Sequence, residues 1–210
     1  MERALEEEVV NAYTHLLAAA LSFLASIVLS IKAPNNTAML QMLILGLCST
    51  WTFFSSFLYH ASTREKIKER NRILDKASIY LMIAGSGIAI SLSNLDKAIS
   101  VSCCIAVLFI SCCLILSYCL EKEENESYSI VSYLLLGWLS IMSGTGFVGE
   151  SALANSAGIF WLVACGCLYS VGVLFFIRDS KKWYHTAWHI FVMLGYSAHV
   201  IAHAVANQML

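Results

Sequence analysis

The chain has 210 residues, of which 59% are hydrophobic and 13% charged, and its mean hydropathy is +0.71. Soluble domains carry about 25% charged residues. The shortage excludes a water-soluble globular enzyme, a disordered chain and a nucleic-acid binder.

The charges are also bunched. Between the bunches lie seven charge-free runs: 9–31, 33–63, 77–95, 98–120, 127–149, 151–177 and 183–210. A helix needs roughly 20 apolar residues to cross the hydrocarbon core, and every run meets that. The pattern predicts an all-α integral membrane protein, one seven-transmembrane-helix domain over 1–210. Its spans are expected at about 10–31, 38–60, 75–95, 98–120, 128–148, 152–177 and 184–207. The chain begins Met-Glu-Arg-Ala-Leu-Glu-Glu-Glu, without the basic start of a signal peptide, so the first run is expected to be retained. Continuous apolarity also opposes a barrel, whose strands alternate in segments of about ten residues. Pro34, Asn35 and Asn36 break the chain in the first connection. The eight cysteines, Cys48, Cys103, Cys104, Cys112, Cys113, Cys119, Cys165 and Cys167, all lie inside apolar runs. They read as small packing residues rather than a disulfide framework or a zinc-type array.

Seven spans divide the basic residues unevenly. Arg3, Arg64, Lys66, Lys68, Arg70, Arg72, Lys76, Lys122, Arg178, Lys181 and Lys182 fall on the N-terminal side, and only Lys32 and Lys97 on the other. The positive-inside rule then makes the N-terminus cytoplasmic and the C-terminus external, in a cell membrane. Anionic lipid headgroups account for the basic stretch 64–72, and the acidic stretch 121–126 reads as a solvated turn.

Polar groups inside a span mark function by default. His60 closes the second span, Asp75 opens the third, and His185 and His189 open the seventh, all at the cytoplasmic level. His185 and His189 are four apart and share a helix face. With His60 they make three imidazoles, the set that catalytic zinc sites use with a fourth position left to water. Zinc lowers the pKa of such a water to about 7. Asp75 is placed to accept its proton. Ser56, one turn inward of His60, is placed to orient Asp75 or a ligand. Each residue alone has a plainer reading: interfacial hydrogen bonding for the histidines, a dipole-favoured helix start for Asp75, packing for Ser56. Their common depth carries the case. Asn11 and His15 lie at the same level, as lining of the site or as packing. His199 lies roughly 21 Å beyond His185 at 1.5 Å per residue, so it and His203 read as external-side hydrogen bonding.

Ser56-Phe57-Leu58-Tyr59-His60, Asp75 within Leu74 to Gly85, and His185-Thr186-Ala187-Trp188-His189-Ile190-Phe191 resemble, in order, motifs of the haemolysin III family. That family is the bacterial branch of the progestin and adipoQ receptor family. Asn11-x3-His15 is similar to its start, and Leu136-Gly137-Trp138 and Tyr169 to Phe176 match in character. The resemblance covers nearly the whole chain. It implies a bacterial inner-membrane protein whose cytoplasmic-side Zn2+ is held by His60, His185 and His189, with Asp75 and Ser56 supporting a water. The wider superfamily includes alkaline ceramidases, which implies amide hydrolysis on a lipid. The third span departs from the family's Gly-Thr-Tyr-Thr-Pro with Gly85-Ser86-Gly87-Ile88-Ala89, and Lys76 stands where a histidine or another basic residue is common. Both changes bear on cavity shape.

Two functions follow as expectations. One is a zinc-dependent hydrolase of a lipid amide or ester; the other is a non-enzymatic, receptor-like or membrane-regulating protein with structural zinc and a lipid as ligand. A pore-forming haemolysin is disfavoured, because a pore needs a polar stripe through several helices.

Overall fold

In lipid a backbone must satisfy its own hydrogen bonds, which favours helices for long apolar segments. The computed structural model describes residues 4–92, 98–120, 126–144 and 156–210. Among them are seven helices and no strand: α1 (Leu5–Lys32), α2 (Asn36–Ala61), α3 (Glu65–Leu92), α4 (Ala98–Leu120), α5 (Glu126–Gly144), α6 (Ser156–Phe176) and α7 (Tyr184–Ala206). Six of them, all but α5, are long and apolar enough to cross a membrane; the apolar part of α5, Tyr128–Met142, is shorter. The chain is a multi-pass membrane protein. Parts of the expected third, fifth and sixth spans (93–95, 145–148, 152–155), together with Arg3, Lys97, Lys122 and most of the acidic stretch, lie outside the described residues.

Two helix starts differ from the expected ones. α1 begins at Leu5 and draws Glu6, Glu7 and Glu8 into its first turn. α3 begins at Glu65, so most of the expected loop 61–76 is helix and Asp75 sits well inside it, beyond the reach of the helix-start dipole. The first connection is as short as Pro34 and its neighbours predict. Asn35 caps α2 there, its side chain accepting the Ala38 N–H at 2.9 Å.

The first helix buries its small and polar residues and exposes most of its large apolar ones. On α1 the inner face carries Asn11, Ala12, His15, Ala18, Ala19, Ser22 and Ser26. The outer face carries Leu17, Leu21, Leu24 and Val28. Small residues let helix backbones approach and hydroxyls bond across the gap, as helix pairs in lipid do. Ser22 meets Thr50 at 2.8 Å between α1 and α2. Thr52 Oγ1 donates to the Ser78 carbonyl at 2.8 Å between α2 and α3.

Three contacts fix the directions of α1, α2 and α7. Near the start of α1, Thr186 Oγ1 donates to Asn11 Oδ1 at 2.6 Å, so α1 and α7 run parallel. The ring of His60, at the end of α2, lies 5.1 Å from that of His185, at the start of α7. At the far end, Asn207 Nδ2 donates to Gln41 Oε1 at 3.0 Å. α2 and α7 therefore run antiparallel. Between them a core of Leu45, Phe53, Met82, Val192 and Tyr196 is closed by Ala18 and Ala19 of α1.

Candidate metal centre

The antiparallel pairing of α2 and α7 brings His60 to His185 and His189. One ring nitrogen of each lies within 4.8 Å of the others, and all three residues are buried. Ring centroids are 4.9 Å apart for His60 and His189 and 4.7 Å for His185 and His189. The i,i+4 spacing on one helix supplies the latter pair.

Each imidazole has an oxygen near its Nδ1. His60 Nδ1 lies 2.8 Å from Glu8 Oε2, and Lys68 Nζ holds the other oxygen of that carboxylate at 3.3 Å. His185 Nδ1 lies 3.5 Å from Asp179 Oδ2. Thr14 Oγ1 lies 3.5 Å from His189 Nδ1. A histidine that donates Nδ1–H presents Nε2 as a lone pair. His60 Nε2 is buried and has no hydrogen-bond partner. Desolvating such an atom without a partner is costly, and a cation shared with two neighbouring imidazoles removes that cost. Three neutral nitrogen donors fit zinc and other borderline divalent metals. The residues present therefore fit a metal ion.

Beside the triad opens a cavity of about 660 Å3, lined by residues of α1, α2, α3, α5, α6 and α7. His185 and His189 form part of its wall, as do Ser56 and Asp75. Deeper, the wall is mainly apolar, with Ile83, Ile141, Cys165 and Val192, but it also carries Ser86, Ser140 and His199. Its size is that of small-molecule sites. Trp138, quoted above for its family character, spans the α5–α6 side and donates to Ser170 Oγ at 3.1 Å.

His15 lies flat on His189, with centroids 3.6 Å apart and planes 9° from parallel. Stacked in this way, His15 would support the His189 ring rather than serve as a further ligand. His15 is therefore part of the wall, and Asn11 joins α1 to α7 through Thr186. His199 and His203 stack on each other at 5.2 Å. Ser86 Oγ lies 3.4 Å from His199 Nδ1, while neither ring nitrogen of His203 has a partner. The described cysteines, all but Cys119, whose side chain lies outside the description, are free.

Glu7, Glu8, Thr14 and Asp179 were not singled out from sequence. One signal was present: Glu8, Asn11 and His15 follow at i, i+3 and i+7, a continuous polar stripe on the first helix.

The family model described as "Haemolysin-III related" matches residues 3–200. The chain belongs to the haemolysin III family. It is 30% identical over 197 residues to "Hemolysin-3 homolog" of Bacillus subtilis (strain 168), which covers 92% of this chain and 91% of that protein. It is 28% identical over 198 residues to "Hemolysin-3" of Bacillus cereus, with 93% and 89% covered. No solved structure matches the chain significantly. The haemolysin III match takes in the three histidines, Glu8 and Asp75, and stops short of His203.

Proposed function

We propose that this haemolysin III protein is a zinc-dependent hydrolase that cleaves an amide or ester bond of a membrane lipid. The observation that carries the reading is three buried imidazoles within 4.8 Å of one another, two of them in the wall of a cavity that also presents Asp75 and Ser56. His60, His185 and His189 would hold the ion. A zinc ion there supplies Lewis acidity and a nucleophilic water near neutral pH. The apolar depth of the cavity takes an acyl chain and keeps bulk water out, which strengthens polar interactions at its mouth. Asp75 receives the proton of the attacking water and returns it to the leaving group. Ser56 holds a hydrogen bond at the reacting end. The basic cluster at the start of α3 supports reading that end as cytoplasmic, with the N-terminus cytoplasmic and the C-terminus external.

Metal analysis of the purified protein tests the site. Wild type is expected to carry about one zinc per chain and His185→Ala to lose it; metal-free wild type overturns the reading. Lipid profiling of cells with Asp75→Asn then tests turnover. A lipid pool that shifts with Asp75 supports hydrolysis. An unchanged pool beside a zinc-loaded protein favours structural zinc in a lipid-binding or regulatory protein.

A further inference from the structure

α1 contributes no metal ligand in the proposed centre, yet its first turn reaches both helices that do. Glu8 accepts from His60 Nδ1 at 2.8 Å, on the last turn of α2. Glu7 Oε1 accepts the Trp183 N–H at 3.1 Å, two residues before His185. Both glutamates are buried. Their neighbour Glu6 is exposed and lies 3.6 Å from Lys182, an exposed partner.

Burying two carboxylates at the end of a membrane bundle costs free energy unless they meet donors. The donors they meet include the ring of His60, the Trp183 N–H two residues before His185, and Lys68 of α3. Trp183 has φ of 68°, a left-handed conformation rare for a bulky residue. Such a conformation persists where its surroundings fix it, and the Glu7 carboxylate is the group that takes its N–H. The start of α7 is thereby set where His185 and His189 can face α2. Glu8 does the corresponding work on the other helix. It holds the His60 ring and selects the tautomer with a lone pair on Nε2. Lys68, from α3, keeps the Glu8 carboxylate in place.

We propose that Glu7 and Glu8 are the positioning residues of the metal centre, Glu8 fixing the ring of His60 and Glu7 fixing the helix start that carries His185 and His189. This rests on the metal-binding reading above and adds to it two residues that are not metal ligands.

The test is zinc affinity, measured on the full-length protein in detergent by chelator competition. The metal-free Tm and the visible absorption of the Co2+-loaded protein are recorded beside it. Glu8→Gln preserves size and is expected to weaken Zn2+ binding about 10- to 100-fold and to shift the Co2+ bands. Glu7→Gln is expected to weaken binding less, and Glu6→Gln not at all. Zn2+ affinity at the wild-type level in Glu8→Gln overturns the proposal. So does a variant whose metal-free Tm falls while its affinity and Co2+ spectrum stay unchanged, since that describes a scaffold contact only. If Glu8→Gln does not purify as a folded protein, Lys68→Met decides, with severalfold weaker binding expected and unchanged binding overturning. A wild-type protein that takes up no zinc is a separate result and overturns the metal reading itself.

Discussion

His15 and His203 are both buried, and neither has a hydrogen-bond partner on either ring nitrogen, but they stand in different surroundings. His15 packs face to face with His189 and edge-on to Phe53, so the position asks for a flat ring more than for a polar atom. His15→Phe is expected to keep that stack and to leave zinc content unchanged, while His15→Ala frees the His189 ring and lowers zinc affinity. Equal loss in both variants would show that the imidazole itself is required. His203 packs far from the triad, and replacing an unpaired buried polar group by an apolar one of similar shape can be neutral or stabilising. His203→Leu is therefore expected to retain metal with a Tm at or above wild type. The contrast also shows what residue types alone convey. The i,i+4 spacing of His185 and His189 is legible because it depends on helix geometry alone. The Glu8–His60 contact joins positions far apart in the chain, and no local pattern encodes which acid of a polar helix start turns inward.

Counting charges along the chain locates hydrocarbon, not helix. That is why the expected helix positions agree closely with α2, α4 and α7 and miss the first ten residues of α3. Glu, Lys and Arg are good helix formers, so the segment from Glu65 to Lys76 stays helical beyond the apolar run, and Asp75 becomes an interior residue facing the cavity. The close packing of α1 and α2 was equally hidden, because it depends on one glycine among many small residues. A Cβ added at Gly46 would collide with Ser26 Cβ on the facing helix. Gly46→Ala is expected to cost about 1–3 kcal/mol, the usual penalty for overpacking. Adding Ser26→Gly should recover part of it, a non-additivity that direct contact produces. Thermal melts of the two single variants and the double variant in detergent check this; additive losses would mean that the helices separate rather than press on each other.

At the scale of the whole molecule, the metal centre constrains how often the chain crosses the membrane. His60 ends α2 and His185 begins α7, and they share one site, so both chain positions lie on the same side. α3 and α4 are each long and apolar enough to cross, which returns the chain to that side at the end of α4. α6 leads into α7 through the short turn at 177–183 and must therefore start on the opposite side. A single shared site would then require α5 to make that passage, although its apolar part, Tyr128–Met142, spans about 22 Å at 1.5 Å per residue against a core of about 30 Å. The contacts of α5 agree with a crossing. Tyr133 Oη donates to the Lys76 carbonyl at 3.1 Å, Tyr80 Oη meets Ser132 at 2.8 Å, and Ile141 packs in one cluster with Ile90. α5 thus runs parallel to α3 over its described length. Seven crossings would put the two termini on opposite sides. The basic residues from Arg64 to Lys76 and from Arg178 to Lys182 gather at the end that holds the histidines, which the positive-inside rule assigns to the cytoplasm. Reporter fusions give the check: a reporter active only in the cytoplasm should work at the N-terminus and fail at the C-terminus, and one active only outside should do the reverse. Both termini on the cytoplasmic side would mean that α5 does not cross. In that case His60 and His185 would stand on opposite faces of the membrane, and no single ion could join them.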